Sequence, residues 1–145
     1  MTQEVTASFY SCSNDSLRME SLTMCKMVPY KNGRCVADIK LRHIDNISAQ
    51  AKDAKNIHRI MLFGSALEER CTERSDIDIA VFGRKAKNSY IDSREFREFK
   101  KGLFSFDWNQ DYDVLYFREG EDHSAAIMED ISRGVEIFRR TPEWN

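Results

Sequence analysis

The sequence has no apolar stretch long enough to cross a membrane and no large excess of charge of either sign. A membrane-spanning helix needs about 20 consecutive apolar residues, and no run in this chain approaches that length. The 22 basic residues are balanced by 24 acidic ones, which excludes a strongly cationic nucleic-acid coat and a polybasic membrane-binding surface. A local basic cleft stays compatible with this balance. We therefore expect no membrane partner and no nucleic acid as the direct substrate.

Cysteines are few, and their spacing lacks the patterns of metal sites and redox motifs. Cys12, Cys25, Cys35 and Cys71 form no CxxC pair, and no histidine stands at zinc-ligand spacing from them. The start of the chain is polar and lacks the basic-then-apolar order of a secretory signal. These features predict four reduced thiols and a cytoplasmic protein.

The 145 residues, of which 41% are hydrophobic, suffice for one domain with a real core. The first thirty or so residues are rich in Ser and Thr, and Pro29, Asn32 and Gly33 punctuate the chain after them. We therefore divide the chain into an N-terminal extension of unknown role, residues 1–33, and a folded domain, residues 34–145.

Hydrophobic periodicity within the folded domain alternates between helical and strand-like spacing. The pattern predicts helices over 36–55, 90–104 and 124–133 and strands over 58–63, 76–82 and 111–117, with Gly134 ending the last helix. This order predicts an α/β (α+β) fold, in which helices pack on a small mixed β-sheet. The phenylalanines of the second helix and of the residues after it, Phe96, Phe99, Phe104 and Phe106, are expected in the core.

Two aspartates two residues apart begin the second predicted strand. Asp76 and Asp78 project to the same side because residues i and i+2 of a strand share a face. Ile77 and Ile79 place them within an apolar run, where two carboxylates repel each other and resist desolvation. A bound divalent cation makes such a pair favourable, and oxygen ligands of this kind select Mg²⁺ or Mn²⁺.

A glycine and a serine follow the first predicted strand. Gly64 permits a sharp turn and the close approach of a ligand. A short helix that begins near Ser65 would direct backbone N–H groups and the serine hydroxyl at an anion. Joined to the Asp76–Asp78 pair by a ten-residue connection, this turn predicts a site for a nucleoside triphosphate.

The third predicted strand offers two candidates for a third carboxylate, Asp111 and Asp113. We prefer Asp113 because Val114, Leu115 and Tyr116 follow it and embed it better, whereas Asp111 lies nearer the preceding loop. The hypothesis then assigns Asp76, Asp78 and Asp113 as catalytic metal ligands and Gly64 and Ser65 as nucleotide-binding residues.

Gly64–Ser65, ten residues and then Asp76–Ile77–Asp78 resemble the signature of the polymerase-β-type nucleotidyltransferase superfamily, and more narrowly of its minimal nucleotidyltransferase domains. The resemblance covers about residues 36–140. It implies the polymerase-β-like fold, a Mg²⁺- or Mn²⁺-dependent transfer of a nucleoside monophosphate from ATP or another NTP, and a hydroxyl acceptor. Minimal nucleotidyltransferases of this kind often act as antitoxins that adenylylate a tyrosine of a helical HEPN ribonuclease, so the resemblance also implies a HEPN-type toxin as partner.

The chain departs from that family where a small residue and Arg-Gly often follow the Gly-Ser pair. Leu67, Glu68 and Glu69 stand there instead, and two acids beside a triphosphate weaken its binding unless Arg70 or Arg74 compensates. Two alternatives therefore stay open. One is a catalytically weak antitoxin or binding module that masks a partner protein. The other is a transferase acting on a small molecule such as an aminoglycoside, which the lack of a sizeable acceptor-binding domain disfavours.

Overall fold

Six strands and four α-helices make up the part of the chain that the computed structural model describes, residues 25–141. The strands are β1 (Met27–Pro29), β2 (Cys35–Ala37), β3 (Ile57–Phe63), β4 (Ile77–Gly83), β5 (Tyr112–Arg118) and β6 (Val135–Arg139). The helices are α1 (Leu41–Lys52), α2 (Lys87–Tyr90), α3 (Arg94–Phe106) and α4 (Ala125–Ser132). None of these helices combines the length and the apolar character needed to cross a membrane.

A four-stranded mixed sheet in the order β5-β4-β3-β6 forms the centre of the fold. β3 pairs antiparallel with both β4 and β6, whereas β4 and β5 run parallel. β1 and β2 form a separate antiparallel pair. The prediction of a small mixed sheet packed with helices is confirmed.

The first face of this sheet is covered by α1 and α3, which bury their apolar residues at helical spacing. α1 buries Ile44, Ile47 and Ala51 at relative positions i, i+3 and i+7, and α3 repeats this spacing with Phe96, Phe99 and Leu103. The α3 N-terminus is fixed by Ser93, whose hydroxyl accepts a hydrogen bond from the backbone N–H of Phe96 at 3.1 Å.

The second face carries a smaller apolar cluster under α4. Met61 of β3 and Ala80 and Phe82 of β4 pack there with Ile131 of α4. Because alternate strand residues share a face, Asp78 lies on this second face with Ala80. The smaller cover of this face leaves room for polar side chains at the beginning of β4.

Most strand and helix boundaries fall close to the predicted ones, with two exceptions. The predicted helix over 90–104 starts too early, because α2 ends at Tyr90 and α3 begins only at Arg94. The predicted helix over 36–55 begins too early, because Val36 belongs to β2 and pairs with Val28 of β1. A short 3-10 segment, Asp38–Lys40, then leads into α1. Val36 and Ala37 are fully buried, so their apolar character reflects strand packing and not a helix face.

Three further expectations need correction. The segment 135–139 forms β6, which the predicted order of elements lacked. Phe104 and Phe106 are 36% and 42% exposed, so only the first two phenylalanines of the α3 group belong to the core. Cys25 and Cys71 are free thiols, but Cys35 is disulfide-bonded. The prediction of four reduced thiols is therefore wrong at Cys35. The cytoplasmic assignment stays a prediction. Cys12 and the rest of residues 1–24 lie outside the described residues.

Candidate active site

Asp78 and Asp113 stand directly opposite each other on neighbouring strands. β4 and β5 are parallel, and their register pairs Asp78 with Asp113. Paired residues of parallel strands point to the same face, and neighbouring strands lie about 4.8 Å apart. The two carboxylates therefore emerge side by side on the second face of the sheet.

Asp76 lies one residue before β4 and is exposed to solvent. The residue after it, Ile77, donates its backbone N–H to the carbonyl of Asp111 at 3.0 Å. This bond ties the segment that carries Asp76 to the start of β5. The three predicted carboxylates thus come from two adjacent strand beginnings.

The surroundings of Asp78 disfavour its ionised form. Its pKa is raised from 3.8 to about 6, first by burial and then by the negative charges of Asp113 and Asp76. Asp78 is half-buried, whereas Asp76 and Asp113 are exposed. A carboxylate destabilised by burial and by two like charges is stabilised by a cation placed among the three.

The donor chemistry of this cluster fits a hard divalent cation, because all three groups are carboxylates. Within residues 25–141, however, no set of three or more His, Cys, Asp or Glu side chains already has the geometry of a metal site. The three carboxylates come from the same edge of the sheet but do not form a preformed metal site. Their roles as metal ligands stay a prediction.

Gly64 forms the turn that the sequence predicts after β3. It has a positive φ of 82°, a region that side-chain-bearing residues rarely adopt. A Cβ atom at this position would overlap the carboxylate of Asp78. The turn and the carboxylate cluster are therefore in direct contact, and glycine is required for both its backbone conformation and its lack of a side chain.

Ser65 lies in a short 3-10 helix, Gly64–Leu67, which begins at this turn. The predicted short helix near Ser65 is therefore confirmed as a structural element. This 3-10 helix directly follows Phe63, the last residue of β3, which pairs with Asp78 of β4. Its first backbone N–H groups therefore lie next to Asp78. Nucleotide binding by Gly64 and Ser65 stays a prediction.

The two acids that depart from the family pattern occupy the loop after this 3-10 helix. Glu68 forms an ion pair with Arg70, and both side chains are exposed. The pairing reduces the positive charge that Arg70 offers to a triphosphate. Arg74, the other candidate cation, is also exposed.

A cavity of about 680 Å³ lies beside the beginnings of β4 and β5. Lys40 and Gln110 form part of its wall, together with residues from the start of α1 and from the loop after α3. None of Asp76, Asp78 and Asp113 lines it. The cavity is therefore a neighbour of the carboxylate cluster and not its binding pocket.

Sequence reasoning missed two polar residues next to the cluster, Lys40 and Gln110. They are only 1% and 3% exposed, and the Lys40 Nζ donates to the Gln110 side-chain oxygen at 2.6 Å. Neither belongs to a motif, and a lysine beside the start of a helix is ordinarily solvated. No sequence signal distinguished them from surface residues.

Comparison with known proteins places the chain in a family. The family model described as "Polymerase beta, Nucleotidyltransferase" matches residues 45–143, a range that includes all five predicted site residues. No curated protein sequence matches the chain significantly.

Two solved structures show similarity at low sequence identity. One is a mutant of the toxin–antitoxin complex MntA–HpeT, with a TM-score of 0.49 and 19% identity over 68% of this chain and 73% of that chain. The other is a proposed nucleotidyltransferase from Sulfolobus solfataricus, with a TM-score of 0.40 and 18% identity over 71% of this chain and 86% of that chain. On the strength of the family match, which spans well over half of its residues, the chain belongs to the polymerase-β-type nucleotidyltransferases.

Proposed function

We propose that the protein transfers a nucleoside monophosphate, AMP from ATP, to a hydroxyl group of a partner protein. The observation that carries this proposal is the pairing of Asp78 with Asp113 in the parallel register, beside the Gly64 turn. Within this family, carboxylates next to such a turn are suited to a triphosphate and its metal. The experiments below test each part separately.

In the proposed reaction, the acceptor oxygen attacks the α-phosphorus in line, the α–β phosphoanhydride bond breaks, and pyrophosphate leaves. Asp76, Asp78 and Asp113 would hold Mg²⁺ or Mn²⁺, which when bound neutralises phosphate charge and lowers the pKa of the attacking hydroxyl. Gly64 allows the triphosphate to approach the backbone closely, and Ser65 offers its hydroxyl and N–H groups to it. Catalysis then consists of positioning and charge stabilisation, without a covalent nucleophile on the enzyme.

The openness of the site supports a protein as acceptor. Asp76 and Asp113 are exposed, so a side chain presented on the surface of another protein can reach them. A tyrosine suits this chemistry because its hydroxyl has a pKa of about 10, and a modest lowering gives the phenolate. The resemblance to minimal nucleotidyltransferases makes a HEPN-type toxin the acceptor that we propose.

The first test concerns ligand binding alone. Mg²⁺ with ATP should raise the melting temperature of the full chain, because ligand binds only the folded state. The double variant Asp76→Asn/Asp78→Asn should fold and lose this increase, while the exposed loop variant Asp122→Asn should keep it. An undiminished increase in the double variant would overturn the assignment of the site.

The second test concerns transfer. The full chain is incubated with Mg²⁺, ATP and the purified product of the neighbouring gene, and the intact mass of that product is measured. We expect an AMP-sized increment that the Asp76→Asn/Asp78→Asn variant fails to produce. A parallel reaction with an aminoglycoside replacing the partner distinguishes a small-molecule acceptor.

Masking of a partner without catalysis is the second candidate function. The ion pair between Glu68 and Arg70 favours it, because it places acids and a neutralised cation where the family often has Arg-Gly. Under this alternative the mass of the partner never changes, its activity is nevertheless suppressed, and the Asp76→Asn/Asp78→Asn variant suppresses it equally well.

A further inference from the structure

Lys40 carries a buried ammonium group next to the carboxylate cluster. It ends the 3-10 segment before α1 and is 1% exposed. Its Nζ donates to the Ser75 carbonyl at 2.8 Å, to the Glu73 carbonyl at 3.2 Å and to the Gln110 Oε1 at 2.6 Å. A buried ammonium is tolerated only when its protons are all bonded, and here all three are used.

These contacts exclude a direct role of Lys40 as a phosphate ligand. Its three protons point at two backbone carbonyls and one side-chain amide, so none remains for a substrate. Burial lowers the pKa of Lys40, while the nearby acidic groups, Asp76 among them, oppose that shift. The ammonium group of Lys40 therefore interacts with groups of the protein, and not with a substrate.

Gln110 extends the contacts of Lys40 to the beginning of β5. Its Nε2 donates to the Ser75 carbonyl at 3.0 Å and to the Asp111 carbonyl at 2.7 Å. The Asp111 carbonyl also accepts the Ile77 backbone N–H. The buried side chains of Lys40 and Gln110 thus connect Ser75, which precedes Asp76, with Asp111, which precedes β5.

The position of Asp76 depends on these bonds because β4 begins only after it, at Ile77. Asp78 and Asp113 are fixed by the strand register, but Asp76 is exposed and precedes the ladder. On one side of Asp76, the Ser75 carbonyl accepts a hydrogen bond from the Gln110 side chain. On the other side, the Ile77 backbone N–H donates to the Asp111 carbonyl.

We propose that Lys40 and Gln110 are positioning residues that hold Asp76 where it can share a divalent cation with Asp78 and Asp113. We refer to the two as the Lys40–Gln110 anchor. The inference rests on the proposed function, since it assumes that these carboxylates bind a metal. It adds a requirement that the family motif does not contain.

The test measures Mn²⁺ binding directly, by the electron paramagnetic resonance signal of free Mn²⁺ in titrations of the full chain. Lys40→Met and Gln110→Met should each raise the Mn²⁺ Kd about tenfold or more, in the range found when groups that orient metal ligands are removed. The double variant should be little worse than either single variant, because each removes the same anchor. Lys52→Met, which removes an exposed lysine at the end of α1, is the matched control and should leave the Kd unchanged.

Activity supplies a second readout that a purely structural role does not move. In the anchor variants the Mg²⁺ concentration for half-maximal turnover should rise, and saturating Mg²⁺ should restore most of kcat. Lys40→Arg, which keeps the charge and the donors, should recover part of the Mn²⁺ affinity. If Lys40→Met does not fold, Gln110→Met and Lys40→Arg carry the same comparison.

The outcomes separate the two hypotheses. Wild-type binding of Mn²⁺ that is abolished in Asp76→Asn/Asp78→Asn but unchanged in folded Lys40→Met and Gln110→Met overturns the anchor alone. A wild-type chain that binds no Mn²⁺ overturns the proposed function, and the anchor with it. A lower melting temperature with an unchanged Kd assigns Lys40 and Gln110 to stability only.

Discussion

Asp78 of β4 pairs with Asp113 of β5 in the only parallel strand pair within the described part of the sheet. Parallel pairing puts the beginnings of both strands at one edge, so acids near both beginnings meet there. The approach of the two carboxylates is therefore a consequence of topology. It also separates Asp113 from Asp111, which precedes β5 and has no register partner on β4.

The first prediction compares Asp113→Asn with Asp111→Asn. Because only Asp113 lies opposite Asp78, Asp113→Asn should lower kcat for nucleotidyl transfer by two or more orders of magnitude while ATP binding largely survives. Asp111→Asn should change kcat less than about threefold, since the backbone carbonyl of Asp111, and not its side chain, is bonded to Ile77. Steady-state kinetics with saturating Mg²⁺ measures both. Equal losses in the two variants, or a loss confined to Asp111→Asn, would reverse the assignment.

The second prediction concerns stability and pH in the metal-free protein. Burial and the charges of Asp113 and Asp76 raise the pKa of Asp78 to about 6, so between about pH 4 and pH 6 the folded state binds more protons than the unfolded state. The contribution of Asp78 to the free energy of unfolding therefore decreases as pH rises through this window. At pH 7.5 the ionised group is unfavourable, and Asp78→Asn should increase the free energy of unfolding by about 1–3 kcal/mol.

Urea denaturation in EDTA at pH 4.5 and pH 7.5 measures this effect. The gain from Asp78→Asn should be largest at pH 7.5 and clearly smaller at pH 4.5, where Asp78 is already protonated in the folded state but still partly ionised in the unfolded state. Asp122→Asn should change stability by a similar small amount at both pH values. A variant Asp78→Asn that is no more stable than wild type at pH 7.5 contradicts the electrostatic account of the cluster.

The parts of the fold that the sequence predicted are those whose signal is local. β3 and β4 are apolar runs ended by Gly64 and Gly83, and their structural bounds differ from the predicted ones by a single residue at each shifted end. The proximity of Gly64 to Asp78 followed from a motif that fixes two strand ends and their connection. These features are determined by residues close together in the sequence, so they can be predicted without the tertiary structure.

The parts that the sequence could not supply depend on distant contacts. Val36 has the apolar character of both a helix face and a strand, and only its pairing with Val28 decides between them. Burial of Lys40 depends on carbonyl groups 33 and 35 residues away in the chain. The expected embedding of Asp113 is also wrong, since it is exposed like Asp111. What distinguishes Asp113 is its register with β4, which composition alone does not fix.

The third prediction tests the turn after β3 with a matched pair of glycines. Gly64 and Gly120 both have positive φ, 82° and 86°, so alanine at either position should cost about 1–2 kcal/mol of backbone strain. A Cβ at Gly120 meets no heavy atom within 4 Å, whereas one at Gly64 overlaps the Asp78 carboxylate. Gly64→Ala should therefore also abolish the increase in melting temperature caused by Mg²⁺ and ATP.

Gly120→Ala serves as the control for the backbone strain, and differential scanning fluorimetry with and without Mg²⁺ and ATP measures both variants. Without ligand, we expect a larger loss of melting temperature in Gly64→Ala than in Gly120→Ala, because only the former adds an overlap with the Asp78 carboxylate. A ligand response is expected only in Gly120→Ala. A Gly64→Ala variant with a full ligand response would show that the turn and the carboxylate cluster are not one site.

The last prediction concerns the acids that depart from the family pattern. Glu68 pairs with Arg70 in the exposed loop after the 3-10 helix, and this pairing competes with any contact between Arg70 and a triphosphate. Glu68→Gln removes one negative charge and frees the guanidinium, so it should lower the KM for Mg²⁺-ATP by about two- to fivefold, the range that exposed ion pairs contribute. Arg70→Gln should raise the KM, and in the double variant the gain from Glu68→Gln should shrink. Glu129→Gln, which breaks the exposed ion pair between Glu129 of α4 and Arg133 just after it, is the matched control and should leave the KM unchanged. If wild type and Glu68→Gln both show no turnover, while both still suppress the activity of the partner protein, Glu68 belongs to a docking surface and the masking function replaces transfer.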